Sequence, residues 1–212
     1  MRCLRGWMFC WFLALAASWT GCSSPIPPCC RAKAGVGMEC STDLSTNRAS
    51  NVLVDARATW QQDNGQPFQL ASLRGHPVVI AMFYATCEGV CVITKNDLKA
   101  IEASLPAAVA AQTAFVLVTL DPDHDSPAAL KKYRLAQGLS TVHWRLLRGS
   151  TKDTAQLATA LGIGFGRDQA GLLRHSSQLV VLDEAGQIVE RQEGIQADLA
   201  AVVQALTVVA QR

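Results

Sequence analysis

Two cysteines four residues apart, Cys87 and Cys91, are the residues of this sequence best placed to do chemistry. They follow a continuous apolar run, residues 78–84, that predicts a buried strand, and they precede a segment of helical spacing that begins near Ile93. Backbone amides at the start of a helix stabilise anions, so we expect both thiols to lose their protons more easily than free cysteine. Two sulfurs on one side of a helical turn can form a reversible disulfide or hold a soft ion such as Cu(I).

A thiolate pair needs a third ligand to complete a trigonal copper site, and imidazole suits copper well. The chain has four histidines. We expect His76, at the end of the first strand away from the cysteines, to lie on the surface and His143 to be structural. His124 follows a second strand, on a loop that could reach the cysteines. His175 precedes a further strand, in a loop that can lie opposite the cysteine turn, and this placement favours it as the ligand.

The elements that must position these residues alternate along the chain. Asp63-Asn64-Gly65 and residues 183–186 each predict a hairpin, and Ser126-Pro127 predicts a helix N-cap followed by proline in the first turn. The apolar patterns predict the order hairpin, β, α, β, α, β, α, β, β, α. The predicted strands are residues 78–84, 114–120, 144–147, 178–182 and 187–191, and the predicted helices begin near residues 93, 127, 151 and 197. This order is typical of an α/β fold, a three-layer sandwich with an added N-terminal β-hairpin.

Three motifs in this order resemble the Sco/SenC family: residues 83–87 continuing to Cys91, residues 120–127, and His175-Ser176 before an apolar strand. Members of that family are membrane-tethered proteins of thioredoxin fold that assist copper insertion into respiratory cytochrome c oxidase. The resemblance implies a thioredoxin-like three-layer sandwich over residues 52–212. It also implies that Cys87, Cys91 and His175 bind one copper ion per chain.

The resemblance extends to partners and to a second loop. It implies delivery of copper to the copper-site subunit of cytochrome c oxidase, possible reduction of that subunit's cysteines, and a thioredoxin-like protein as the reductant of the pair. Asp121 and Asp125 match the family's acidic loop motif, for which helix capping and turn formation are at least as good an explanation as contact with the metal. Glu88 and Val92 stand where the family often has proline, and Gly89 adds backbone freedom. A carboxylate beside the pair disfavours the thiolates, which leaves copper affinity and redox potential open.

Two other classes of function stay open. A thiol–disulfide oxidoreductase would use Cys87 as nucleophile and Cys91 as resolving thiol. Against it, general oxidoreductases of this fold have two residues between the cysteines and a cis-proline where this chain has His175-Ser176. A peroxide-reducing domain would place an arginine beside Thr86, and none is evident nearby in the sequence. We expect a non-enzymatic copper carrier, with thiol–disulfide exchange as the alternative activity.

The N-terminus predicts export from the cytoplasm. Basic residues precede a short apolar stretch, residues 7–17, and small residues follow it, as in a signal peptide. Gly21-Cys22-Ser23 resembles the lipobox of bacterial lipoproteins, so we expect residues 1–21 to be a lipoprotein-type signal peptide. An uncleaved anchor and simple cleavage are alternatives. All three place the domain outside the cytoplasm, and the first two tether it to the periplasmic face of the bacterial inner membrane.

A linker is predicted between this signal and the domain. Residues 22–51 are rich in Ser, Pro, Ala and Gly and have no usable period, which is typical of a flexible tether. The tether contains Cys29, Cys30 and Cys40. A local disulfide and transient binding of a soft metal ion are both compatible with these thiols.

Composition excludes several classes. Of 212 residues, 50% are hydrophobic and 17% are charged, which is too apolar for a disordered chain, and apolar runs are too short for a multi-span membrane protein. The formal net charge of +2 implies no basic surface for nucleic acid. Eight cysteines are many for a reducing cytosol, which agrees with an extracytoplasmic location.

Overall fold

The computed structural model describes residues 52, 58–87, 89–194 and 198–212, so the signal peptide and tether predicted for residues 1–51 lie outside the described residues. The helices and strands, in chain order, are β1 (Trp60–Gln62), β2 (Pro67–Phe68), a 3-10 helix (Leu70–Leu73), β3 (Val78–Phe83), α1 (Val90–Ser104), α2 (Ala107–Ala110), β4 (Ala114–Thr119), α3 (Pro127–Gln137), β5 (Trp144–Arg148), α4 (Thr151–Leu161), β6 (Phe165–Arg167), β7 (Leu173–His175), β8 (Gln178–Leu182), β9 (Ile188–Glu193) and α5 (Leu199–Val209).

Seven strands form one mixed sheet in the order β2-β1-β5-β4-β3-β8-β9. The three central strands, β3, β4 and β5, run parallel, so the loops after β3 and β4 leave the sheet at the same edge. β8 and β9 extend the sheet antiparallel beyond β3, and β1 and β2 extend it beyond β5. β6 and β7 pair only with each other and form a separate two-stranded ribbon.

Helices cover both faces of the sheet. Alternate residues of β3 enter two different cores, with Val78 and Ile80 in one and Val79 and Ala81 in the other, because successive side chains of a strand point to opposite faces. α4 packs on the first face, whereas α1, α3 and α5 contribute to the core on the second. The predicted three-layer α/β sandwich is confirmed.

Local sequence signals set the ends of the central helices. The Ser126 hydroxyl accepts a hydrogen bond of 3.2 Å from the backbone N–H of Ala129, and that of Ser150 accepts one of 3.1 Å from Asp153. These bonds satisfy amide groups that have no partner within the first turn. The predicted starts of α3 and α4 are therefore confirmed.

Other predictions of boundaries were less accurate. α1 begins at Val90, not near Ile93, so Cys91 lies inside its first turn rather than before it. Ile93, counted in the apolar pattern, is 36% exposed. The sequence did not predict three short elements: the 3-10 helix, α2 and the ribbon of β6 and β7. Short elements give a weak pattern, and every residue of β6 is exposed, so that strand has no apolar period.

A buried ion pair joins the first hairpin to α3. The guanidinium of Arg134 donates to both carboxylate oxygens of Asp63, at 2.6 and 2.9 Å, and to the carbonyl oxygen of Ser140 at 2.6 Å. Such a paired contact fixes geometry more firmly than a single hydrogen bond. Among the described residues, no helix is long and apolar enough to cross a membrane.

Candidate metal centre

The two cysteines lie where β3 gives way to α1. The chain turns after Phe83, and the backbone N–H of Cys87 donates to the carbonyl oxygen of Tyr84 at 3.1 Å. Cys91 follows in the first turn of α1 and is only 2% exposed, whereas Cys87 is half-buried. Cys87 is therefore the sulfur that a second molecule can approach.

The ribbon of β6 and β7 brings His175 to the cysteines. His175 ends β7 and pairs with Phe165 of β6, and its Nε2 atom lies 3.3 Å from the Sγ atom of Cys91. Its Nδ1 atom lies 3.0 Å from the carbonyl oxygen of Ser176. A carbonyl oxygen can only accept, so Nδ1 donates in this contact and Nε2 is the ring nitrogen that faces the thiols.

The three side chains predicted as ligands therefore converge. Ligand atoms of Cys87, Cys91 and His175 all lie within 4.8 Å of one another, and the part of the chain that the structure describes contains no second such group of cysteine, histidine or acidic residues. Two sulfurs and one imidazole nitrogen form a donor set that suits soft ions such as Cu(I). The three ligand atoms would have to move only slightly closer together to bind the same ion.

The two thiols differ in acidity. Burial alone would raise the pKa of Cys87, but hydrogen bonds with the side chain and amide of Cys91, the amide of Gly89 and the side chain of Tyr84 lower it below the ordinary value. Burial is the main reason that the pKa of Cys91 lies far above the ordinary value, and the hydrogen bond with Cys87 raises it further. The prediction that both thiols lose their protons easily is thus wrong for Cys91, because its deep position outweighs the effect of the helix amides.

Tyr84 links the two parts of this centre, a role that the sequence did not reveal. Its hydroxyl donates to the carbonyl oxygen of Leu173 at 3.3 Å, and its ring packs edge-on against that of His175, with 6.0 Å between centroids. A hydrogen bond with Cys87 and burial raise the pKa of Tyr84 to about 12. The position of Tyr84 at the end of a buried strand, directly before the cysteine motif, is the signal that could have indicated this contact.

The acidic loop supports the centre without joining it. The carboxylate of Asp125 is buried, and one of its oxygens accepts hydrogen bonds from the backbone N–H of Ala85, at 2.9 Å, and from the hydroxyl of Thr119. The Asp121 carboxylate accepts from His124 at 2.8 Å and from Arg167 at 3.0 Å. Neither carboxylate belongs to the Cys-Cys-His cluster, so the structure favours the turn-forming explanation over metal contact.

The remaining histidines lie outside the cluster. His76 is exposed, as predicted, and the Nδ1 atom of His143 lies 3.0 Å from a carboxylate oxygen of Glu102. His124 does not reach the cysteines, because its ring pairs with Asp121 and its side chain is 70% exposed. Of the four histidines, only His175 shares a site with the thiols.

Sequence comparison identifies the class. A family model described as SCO1/SenC matches residues 49–211, so this chain belongs to the SCO1/SenC family, and the resemblance seen in its motifs is confirmed. A curated protein of Stutzerimonas stutzeri, named for copper binding, is 29% identical over 102 residues. That match covers 48% of each protein, so the chain spans about half the length of this curated relative.

Solved structures share the fold. ScoI of Bradyrhizobium japonicum, solved with copper bound, is 19% identical with a TM-score of 0.59, and the match covers 72% of this chain and 96% of that one. BsSco, described as a member of the Sco family of cytochrome c oxidase assembly proteins with a disulfide switch, is 20% identical with a TM-score of 0.63. That match covers 72% of this chain and 91% of BsSco. The thioredoxin-like fold predicted for this chain is thereby confirmed.

Proposed function

We propose that this chain is a metallochaperone in which Cys87, Cys91 and His175 hold one copper ion and pass it to the copper-site subunit of a respiratory cytochrome c oxidase. The observation that carries the proposal is the convergence of two thiols and one imidazole nitrogen within 4.8 Å. The name of the Stutzerimonas relative and the copper in Bradyrhizobium ScoI support copper as the ion. The description of BsSco as an oxidase assembly protein supports the recipient.

The number of the ligands and their unequal burial suit transfer rather than storage. Three protein ligands leave Cu(I) able to take a further donor from an acceptor protein. Cys87 is the more exposed of the two sulfurs and is therefore the ligand that an incoming thiolate displaces first. Cys91 and His175, held by α1 and by the ribbon, release the ion last.

The proposed location is the periplasmic face of the bacterial inner membrane. A lipidated Cys22 or an uncleaved N-terminal segment would hold the domain there through the tether of residues 22–51. The copper-loaded domain would then meet, on that face of the membrane, the exposed part of a membrane-bound oxidase subunit. Palmitate labelling of the full chain, compared with Cys22→Ala, tests lipidation directly; equal labelling of both would contradict it.

Copper stoichiometry is the experiment that tests the function. A fragment that begins after Cys40 should bind one Cu(I) per chain in competition with a chromophoric chelator. Cys87→Ala and Cys91→Ala should each lose tight binding, since a single thiolate with one imidazole is a poor Cu(I) site. His175→Ala should bind copper much more weakly than the parent, because the trigonal site then lacks its third ligand. His124→Ala is the matched control and should bind like the parent, because its ring lies outside the cluster. Full affinity in any of the three ligand variants would overturn the assignment.

A thiol–disulfide oxidoreductase is the second candidate, favoured by the contrast between a half-buried Cys87 and a buried Cys91. The Cys87 thiolate would attack one sulfur of a partner disulfide and release the other as a thiolate. Cys91 would then attack the mixed disulfide, leaving the partner reduced and this pair oxidised. A thioredoxin-like dithiol would return the pair to its reduced form.

Catalysed reduction of a protein disulfide by the same fragment tests this second activity. His175→Ala separates the two functions, since copper binding needs the imidazole and disulfide exchange does not. A rate that survives His175→Ala but is lost in Cys87→Ala would establish exchange as an independent activity. No catalysis by the parent fragment would remove the second candidate.

A further inference from the structure

A cavity of about 440 Å³ opens beside Cys87, between the first turns of α1 and the end of α3. Cys87 and Thr86 form one wall, α3 contributes Tyr133 and Gln137, and Lys95 of α1 completes the lining. His175 does not line this cavity and lies instead on the ribbon side of the cysteines. The cavity therefore belongs to the face from which a second molecule reaches Cys87.

Lys95 gives this cavity a positive charge. The residue is 8% exposed, and its Nζ atom donates to the side-chain oxygen of Gln137 at 2.5 Å. The backbone oxygen of the same Gln137 accepts from Nζ of Lys99 at 3.2 Å, which places a second cation nearby. Burial and the charge of Lys99 lower the pKa of Lys95.

The charge of Lys95 is unbalanced in the part of the chain that the structure describes. No carboxylate lies within 4.0 Å of its ammonium group there. A neutral amide satisfies only one of its three donors. An ammonium group that lines a cavity and has no carboxylate partner can pair with an anion that enters the cavity, which offsets part of the cost of its burial.

We infer that this cavity is a recognition subsite for a carboxylate carried by the protein that exchanges ligands with Cys87, with Lys95 as its charged contact. The inference rests on the proposed function and adds one property of the partner protein. That partner carries an acidic side chain close in space to the cysteine with which it approaches Cys87. When the partner sulfur reaches Cys87, its carboxylate enters the cavity and pairs with Lys95. Lys95 thereby selects acidic partner segments over neutral or basic ones.

Charge-selective labelling of Cys87 tests this inference. Two methanethiosulfonate reagents carry either a 2-sulfonatoethyl or a 2-(trimethylammonio)ethyl group. In both reactions the Cys87 thiolate attacks the thiosulfonate sulfur, a disulfide forms and methanesulfinate leaves. Because the same thiolate attacks both reagents, the ratio of the two rate constants reports the charge of the surroundings and not the acidity of Cys87.

The parent protein for this test is the copper-free full chain with Cys87 as its single thiol. It carries Cys91→Ala and, outside the pair, Cys3→Ser, Cys10→Ser, Cys22→Ser, Cys29→Ser, Cys30→Ser and Cys40→Ser. We expect it to favour the anionic reagent, and Lys95→Met to reduce that preference at least about threefold, the effect of one unit charge a few ångströms away in water. Lys95→Arg should keep the preference. Lys152→Met is the matched control, since Lys152 is an exposed residue of α4 on the opposite face of the sheet.

Thermal unfolding of the labelled proteins separates entry into the cavity from a general effect of charge. The sulfonatoethyl adduct should unfold at a higher temperature than the trimethylammonioethyl adduct, and Lys95→Met should abolish that difference. Equal rate ratios in Lys95→Met and in its parent, or adducts of equal stability in the parent, would overturn the inference. Labelling uses copper-free protein, so its result does not depend on whether the chain binds copper. The copper titration and the labelling test can therefore fail independently of each other.

Discussion

The hydroxyl of Tyr84 donates a hydrogen bond of 3.3 Å to the carbonyl oxygen of Leu173, 89 residues further along the chain. Tyr84 lies three residues before Cys87, and Leu173 lies two residues before His175. This contact therefore joins the segment that carries the thiols to the ribbon that carries the imidazole. The ribbon pairs with no strand of the main sheet, so contacts of this kind hold His175 in place.

Tyr84→Phe should weaken copper binding without removing a ligand. Loss of this hydrogen bond should lower the free energy of unfolding by about 1 kcal/mol. If the whole of that free energy is lost from the arrangement of the three ligands that binds copper, Cu(I) affinity decreases about fivefold. Chelator competition and urea unfolding measure the two effects. Tyr133→Phe is the control, because its hydroxyl makes no hydrogen bond within the described residues, and equal affinities in both variants would contradict the role of Tyr84.

The two thiols should titrate separately. Alkylation of Cys87 by iodoacetamide should reach half its maximal rate at a lower pH than free cysteine, because hydrogen bonds to Cys87 lower its pKa despite partial burial. Cys91 should stay unmodified over that range, because burial raises its pKa. Mass spectrometry of the labelled peptides measures both. In Cys91→Ala the Cys87 profile should move to higher pH, since one stabilising hydrogen bond is lost; an unchanged profile would contradict the pairing.

Asp125 should stabilise the cysteine loop through its single accepting oxygen. Asp125→Ala leaves the backbone N–H of Ala85 and the hydroxyl of Thr119 without this partner, at a cost of about 1–3 kcal/mol. Asp125→Asn should cost less, because the amide oxygen can accept from both groups. Urea unfolding of the two variants measures the difference. Equal losses in both would show that the negative charge, rather than the accepting oxygen, is what the loop requires.

The carboxyl group of Asp125 should also make the free energy of unfolding depend on pH. Burial raises the pKa of Asp125 in the folded protein above the unfolded value of about 3.9. The folded state then binds more protons between these two pKa values, so the contribution of Asp125 to stability decreases as pH rises through that window. The free energy of unfolding of the parent, minus that of Asp125→Asn, should decrease with pH there. A difference that is constant or increases would contradict the raised pKa.

Gly149→Ala should destabilise the edge of the sheet where β5 ends. An added Cβ atom would lie 2.6 Å from the Trp60 ring, which is 1% exposed and cannot move away without disturbing the core. We expect a loss of about 1–3 kcal/mol in urea unfolding. Gly166→Ala is the control, since no atom lies within 4 Å of its added Cβ. Similar stabilities of the two variants would show that Trp60 has room to shift.

The sequence by itself determined the central strands, the longer helices and the ligand types. The apolar run that forms β3, the caps at Ser126 and Ser150 and the spacing of Cys87 and Cys91 are local features, and each acts within a few residues. Local features therefore predicted the alternating α/β order and a thiol pair at the end of a buried strand. The order of the motifs also indicated the family, which fixed the expected fold.

Only the tertiary structure decided what surrounds the thiols. The 3.3 Å approach of His175 to Cys91 spans 84 residues and depends on a ribbon whose exposed strand β6 has no apolar pattern. The contrast in acidity between Cys87 and Cys91 follows from burial, which the spacing of two cysteines does not encode. Contacts between distant segments depend on how the layers pack, so Tyr84, Asp125 and Lys95 could be assigned their contacts only once the fold was known.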